Sequence, residues 1–365
     1  MERKKEFFLS NLLIPFLAAS FVFLLSFFPP FELMERQFLD LAFRIRGPQA
    51  PHPDIVIVEI NDRSLRRVGS WPWPRHYHRT LLQLLETHKP SVIFYDLIFS
   101  ETSEKGVDRA YAEEMKKAGN VVLPFYFAVP NPEKFSEKTA VFPIPAFRRS
   151  SRFVGFVNHS SDLDGHVREI LLTRLTEGKL YLHTSLCLAA LHKKWGSEDL
   201  TAFASRRGIL INFPGPYEVF RRIPFDELIE NYDSPAMQPL LRSLEGKVVL
   251  VGLTAVGTGM DLKPTAFSNL YPGIGIQASM LHTLLTKKFI RRFPLLSHGM
   301  CLLLFALLIR ILSGTGSPVR SLLYVGSALA LLFGATQIAF QQGGLWIPYF
   351  SFLTLGSFLF LGLKS

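Results

Sequence analysis

Cysteine is nearly absent. Only Cys187 and Cys301 occur in 365 residues, one in a polar stretch and one in an apolar stretch, which excludes a disulfide framework. Charge is also scarce, at 19% of residues against about 25% in an ordinary soluble domain. Acidic residues number 30 against 40 basic ones. The resulting net charge of +10 would suggest nucleic acid in a soluble protein. However, the chain has no recognition-helix pattern, no zinc-ligand spacing and no basic tract interleaved with aromatics, so nucleic acid is not an expected partner. In a membrane protein the same charge reflects anchoring residues beside anionic lipid. Internal repeats and low-complexity tracts are likewise missing.

What is abundant is apolar residues, 48% of the chain with 33 phenylalanines, and they form long runs. Phe7 to Phe28 carries no charge and is long enough to span a bilayer. It follows a basic start, Arg3, Lys4 and Lys5, but Pro29-Pro30-Phe31 offers no small-x-small cleavage site, so a retained anchor is expected. Three more candidate spans lie near the other end, at residues 295–312, 321–340 and 345–363. The last opens with Trp346 and Tyr349, which suit a membrane interface. The expected organisation is a tail (1–6), a first span (7–29), a domain (31–292) and three further spans. Arg310 and Arg320 flank one joint between the later spans, and the next joint has no basic residue. The positive-inside rule then places both termini in the cytoplasm and the domain outside. Lys287, Lys288, Arg291 and Arg292 oppose this, but the rule is weak beside long translocated domains.

Phe31–Arg46 has helical apolar spacing. It fits a core or membrane-surface helix as well as a signal-conducting linker. Further on, β-branched runs at 55–60, 91–95, 121–125 and 248–252 alternate with helical patterns at 79–87, 110–118 and 276–285. Near-continuous apolar strands separated by helices predict an α/β fold, a mostly parallel sheet flanked by helices. Residues 153–158 and 167–175 read as a hairpin across Asp162-Leu163-Asp164-Gly165, an antiparallel addition.

Candidate site residues fall at the ends of these strands. Asp62 follows the first, Asp96 ends the second and Thr254 follows the late one. Ligands of open α/β sheets bind at carboxyl edges, and two adjacent carboxylates there would raise one pKa or hold a cation. The competing reading has each aspartate capping a helix or closing a turn. In Trp71-Pro72-Trp73-Pro74-Arg75, two prolines stiffen the loop, two indoles offer rigid faces, and Arg75 could hold an anion or stack on an indole. His76 and His78 form a His-x-His pair in that region, a weak metal candidate without a partner at diagnostic spacing. Asp162 and Asp164 hint at a calcium loop whose ligand pattern then stops. Gly252 to Gly259 lacks both the Gly-Lys-Ser/Thr ending and the dinucleotide spacing, and reads as a tight turn. No pattern calls for a cofactor, and no serine-hydrolase elbow surrounds Ser160 or Ser185.

Five segments together resemble the type-2 CHASE domain, an extracellular sensory domain associated with cyclases and histidine kinases. They are DIVIVEINDRSLRRVGSWPWPRHYHRTLLQLL (54–85), PSVIFYDLIFSE (90–101), FVGFVNHSSDLDGHVREILL (153–172), INFPGPYEVFRRIPFDELI (211–229) and GKVVLVGLTAVGTGMDLKPTAFSNLYPGIGIQASMLHTLLTKKFIRR (246–292). The resemblance covers about residues 31–292 and carries over Asp62, Trp71, Pro72, Trp73, Pro74, Arg75, Asp96, Asp164, Gly165, Gly252 and Gly273. It supplies no ligand and no catalytic set. It implies one helix before the sensor and three after it, in a bacterial inner membrane, feeding a cytoplasmic cyclase or kinase. No effector is encoded before Ser365, so the output is expected in cis in a longer chain or in trans. A homodimer is implied, because such outputs act as dimers. A stand-alone envelope protein that binds a partner, without small-molecule sensing, is the alternative. A metal-dependent enzyme using Asp62 and Asp96 is a third reading.

Overall fold

Six consecutive buried residues, Ile55–Ile60, open the central sheet in the computed structural model of the chain. The structure describes residues 12–128, 139–204, 208–256, 261–313 and 317–362. It divides into two compact units, residues 48–289 and a helical unit formed by residues from both ends.

In the 48–289 unit, β1 (Ile55–Ile60) leads into α1 (Asp62–Val68) and α2 (Arg75–Thr87). Then come β2 (Val92–Asp96), α3 (Lys105–Ala118), β3 (Val121–Phe127) and β4 (Phe153–Phe156). The second half supplies α4 (Thr184–Lys193), β5 (Arg221–Pro224), α5 (Phe225–Asn231), β6 (Val248–Leu253) and α6 (Gly273–Thr286). The strands line up as β5-β1-β6-β2-β3-β4, all parallel, and Ala140–Val141 pairs antiparallel with the end of β3. The α/β expectation is met: the strands read as unbroken apolar runs because helices cover both faces.

Side-chain alternation sorts the two faces. Val56, Val58, Ile93, Tyr95, Val249 and Val251 pack with α2, α3 and α5 in one buried cluster. The alternate residues turn to the face where α4 and α6 pack on the strands and on each other. The segments that leave β2 and β6, which are neighbours, therefore diverge to opposite faces. This divergence opens a crevice at their carboxyl ends.

Two expectations are corrected. Residues 153–158 and 167–175 are not paired as a hairpin. Phe153–Phe156 joins β3 in parallel, and Glu169–Ile170 pairs with Ile209–Leu210. The hairpin in this region instead joins Thr173–Thr176 to Lys179–Leu182. Helix α2 begins at Arg75 and not at Arg79, because Pro74 presets the backbone angle from which a helix starts.

The helical unit holds helices Ile14–Leu25, Pro29–Arg46, Leu295–Ser313, Pro318–Gly343 and Phe350–Gly362. Two of these, Leu295–Ser313 and Pro318–Gly343, are long and apolar enough to cross a membrane. The first two could form one broken span, bent by 86°. Residues 345–346 form a short parallel pairing with Arg291–Arg292, so the last helix starts only at Phe350. Phe31–Arg46 packs within this unit, with Phe31 on Phe350 and Phe43 on Phe340. Its Glu35 is buried and accepts hydrogen bonds from Phe350 N (2.8 Å) and Ser351 N (2.7 Å), as well as from the Ser351 hydroxyl. The carboxylate thereby caps the amino end of the last helix, where the helix dipole favours negative charge.

Candidate functional site

The crevice between β2 and β6 holds a cavity of about 410 Å³. That is within the size range of small-molecule sites. Its floor is set by register. Asp96, the last residue of β2, lies opposite Gly252 of β6. A Cβ on Gly252 would stand 2.5 Å from Ile274 Cδ1 and 3.3 Å from Asp96 Cβ, so a larger residue there would make the Ile274 side chain shift. Gly273 opens α6 against Asp261: its N–H donates to the Asp261 carbonyl at 2.9 Å, and a Cβ there would stand 2.7 Å from Asp261 Oδ2.

Two groups on the wall have unusual surroundings. Asp96 is half-buried and has no hydrogen-bond or ion-pair partner among the described residues. Burial, reinforced by the charge of Asp261, pushes its pKa up to about 7. His78 is 1% exposed and its Nδ1 has no partner among the described residues. Burial, with Arg75 and His76 adding, holds its pKa down at about 3, so it is neutral at ordinary pH. Trp71, Trp73, Tyr95, Phe99, Tyr111 and Phe225 surround its ring.

The tryptophans play different parts. Trp73 is buried, donates from Nε1 to the Gly69 carbonyl (2.8 Å) and packs on Phe225 with centroids 4.7 Å apart. Trp71 is half-buried on the cavity wall, edge-on to Trp73 at 5.5 Å. Arg75 also reaches the wall, and its guanidinium is partly engaged, its Nε having no hydrogen-bond partner among the described residues. It lies over the Phe99 ring at 4.5 Å, donates to the Glu101 carbonyl at 3.2 Å and stands 3.7 Å from Asp108. It stacks on a phenylalanine and not on an indole.

The remaining sequence candidates lie elsewhere. Asp62 is exposed at the start of α1 and accepts from Val256 N at 3.5 Å. The cap of that helix is Asn61, whose Oδ1 accepts from Ser64 N at 2.9 Å. Because β6 lies between β1 and β2, Asp62 and Asp96 end strands roughly 10 Å apart. The carboxylate facing Asp96 is Asp261 instead. Thr254 returns the chain to β1 through Thr254 N to the Ile60 carbonyl (2.8 Å), and it does not line the cavity.

His76 and His78 sit on α2 and not in a loop. Residues two apart on a helix do not share a face, so His78 is buried while His76 is exposed against Tyr77. Asp162 and Asp164 form ion pairs with Arg168, at 2.6 and 2.7 Å. Although burial opposes it, these bonds with His166 hold the Asp164 pKa down at about 2. Among the described residues, no cluster of three or more His, Cys, Asp or Glu is arranged to hold a metal. Residues 257–260, which complete the glycine-rich turn, lie outside the described residues.

Sequence reading missed Asp261 and the wall residues Tyr126 and Val157. Asp261 sits in a loop without periodicity. The usable signal was a carboxylate upstream of a glycine-led helix, since an acid is favoured at a helix amino end.

The family model of the CHASE2 domain matches residues 17–312. The chain belongs to the CHASE2 family. The match takes in the whole α/β unit and reaches into the apolar helices on either side. CHASE2 domains are extracellular sensory domains, so this α/β unit is a sensor module of a non-catalytic family. No curated protein and no solved structure matches the chain. The crevice of this CHASE2 sensor lies where ligands of open α/β sheets bind.

Proposed function

We propose that the chain is a membrane-anchored input module whose extracytoplasmic domain takes up a stimulus at the β2/β6 cavity. Its transmembrane helices relay the change to a cytoplasmic cyclase or kinase, carried on the same polypeptide or on a partner. The observation that carries this reading is the continuous CHASE2 match, which joins the α/β unit to helices apolar enough to span a bilayer. The module works as a homodimer in a bacterial inner membrane, with four spans and both termini in the cytoplasm. Switching requires that the stimulus bind one of two conformations more tightly than the other.

Topology and signalling are tested together. Thr102 is exposed on the α/β unit, and the native cysteines are buried (Cys187) or within an apolar helix (Cys301). Thr102→Cys should react with a membrane-impermeant maleimide in intact spheroplasts. Reaction only after permeabilisation would overturn the extracytoplasmic placement. A cyclase catalytic domain fused after Lys364 should show an output that changes when Trp71, on the cavity wall, is replaced by alanine. An output indifferent to every cavity substitution would leave partner binding as the better account.

A further inference from the structure

We propose that the β2/β6 cavity binds a small organic amine in its ammonium form, held by Asp96 and enclosed by the aromatic wall. This deepens the sensor reading by giving its site a ligand class.

The argument begins with which charges are already answered. Arg75 is partly answered, by Asp108 at 3.7 Å, the Glu101 carbonyl at 3.2 Å and the Phe99 ring, while its buried Nε has no hydrogen-bond partner among the described residues. Lys263 stands 3.0 Å from Asp261 Oδ1. The positive end of α6 meets Asp261, which sits against Gly273. An anionic ligand would find one cation on this wall among the described residues, Arg75, already beside Asp108 at 3.7 Å, and it would face two carboxylates. Asp96 is the acceptor left over. His78, 1% exposed with its Nδ1 buried, adds a neutral ring and no competing positive charge to the same wall.

A cation that donates hydrogen bonds answers Asp96. The Trp71 and Tyr126 side chains on the same wall supply the apolar enclosure, and aromatic faces attract ammonium groups. A simple metal ion fits less well, because no set of three ligating side chains is assembled among the described residues.

A pH dependence follows. The charged or titratable groups around Asp96 are Asp261 with Lys263, neutral His78, Arg75, and His159, which lies near Asp261 and whose burial lowers its pKa. With Asp96 at about 7, its ionised fraction rises about tenfold between pH 6 and pH 8. An aliphatic amine stays protonated over that range, as lysine does. Amine affinity should therefore rise about tenfold over the same range.

The test uses the full chain in lipid nanodiscs and isothermal titration calorimetry with three probes of similar size: 2-phenylethylamine, 2-phenylethanol and 3-phenylpropionate. The amine should bind at pH 8 at least about tenfold more tightly than the alcohol, and the carboxylate should not bind. Asp96→Asn should remove that advantage and flatten the pH profile. Should that variant fail to fold, the wild-type pH profile still decides the matter. Equal binding of amine and alcohol, preference for the carboxylate, or no amine binding at 10 mM would each overturn the proposal. The cyclase-fusion response to Trp71→Ala is read without any amine, so a failed ligand class and a failed sensor reading remain distinguishable.

Discussion

The two ends of the central sheet treat their aspartates in opposite ways. At the amino end, Asp54 precedes β1 and is fully engaged: Lys247 Nζ stands 2.6 Å away, His192 Nε2 3.3 Å and His52 Nδ1 3.8 Å. Ser91 Oγ and His192 Nδ1 share a further hydrogen bond of 2.7 Å. At the carboxyl end, Asp96 faces a cavity and has no such partner among the described residues. Burial raises the pKa of both. At Asp54 the hydrogen bond and charge of Lys247, with the two histidines, outweigh it and leave a net lowering, whereas at Asp96 the charge of Asp261 adds to it. A carboxylate that closes the structure is paired, here with one lysine and two histidines. One held in reserve for a ligand is left uncompensated, at a cost in stability.

The largest effect expected at the carboxyl end is on its frame. Trp73→Ala removes a buried indole that joins the loop after α1 to Phe225, and should cost about 4 kcal/mol in a denaturant titration. Trp71→Ala, on the half-exposed wall, should cost about 1 kcal/mol while changing the response of the cavity. If the two losses were equal, Trp71 would be a core residue too.

Asp96→Asn should do the reverse and stabilise the domain. The folded-state pKa of Asp96 is raised from 3.8 to about 7, so the native state binds the extra proton between those values. Wild-type stability therefore falls as pH rises from 4 to 7 and levels off above it. Allowing for the solvent that reaches this half-buried group, the asparagine variant should be about 2 kcal/mol more stable at pH 8 and unchanged at pH 4. Chemical denaturation at both pH values would measure it. A variant less stable than wild type at pH 8 would mean that Asp96 has a partner after all.

The sheet was legible because its strands are buried on both faces and so read as unbroken apolar runs. Their order was not. Nothing local in residues 248–253 says that this strand inserts between β1 and β2, and that insertion separates Asp62 from Asp96. The misread hairpin has the same origin: four apolar residues at 153–156 mark a strand without naming its partner, and β3 is 26 residues or more upstream. Trp71, Trp73, Arg75 and Asp96 were visible as chemistry, but their division into wall, core and engaged cation depends on which side chain faces inward. The Arg168 that answers Asp162 and Asp164 stood in plain sight, four residues beyond Asp164.

At the amino end, Lys247→Met tests whether engagement is worth anything. The pair is partly buried, with Lys247 25% and Asp54 26% exposed, so the loss should be about 1 kcal/mol at pH 7. The Asp54 pKa lies below 3.8 in the folded state, so its contribution is complete above that value and disappears as pH falls through the folded one. The gap between wild type and variant should accordingly close below about pH 4. A gap that persists into stronger acid would assign the loss to packing of the lysine stem.

Asp62→Asn should do least, and it sharpens the contrast between the two ends most directly. Asp62 shares the carboxyl end of the sheet with Asp96, but it is exposed, lies beyond β1 and among the described residues has only a 3.5 Å contact with Val256 N. Its remaining role is a negative charge in the first turn of a seven-residue helix already capped by Asn61, worth less than about 0.5 kcal/mol. Binding of 2-phenylethylamine should be unchanged in Asp62→Asn and lost in Asp96→Asn, measured side by side at pH 8. If both substitutions weakened binding alike, the ligand would be responding to the summed negative potential of the carboxyl edge and not to one unpartnered carboxylate in a cavity.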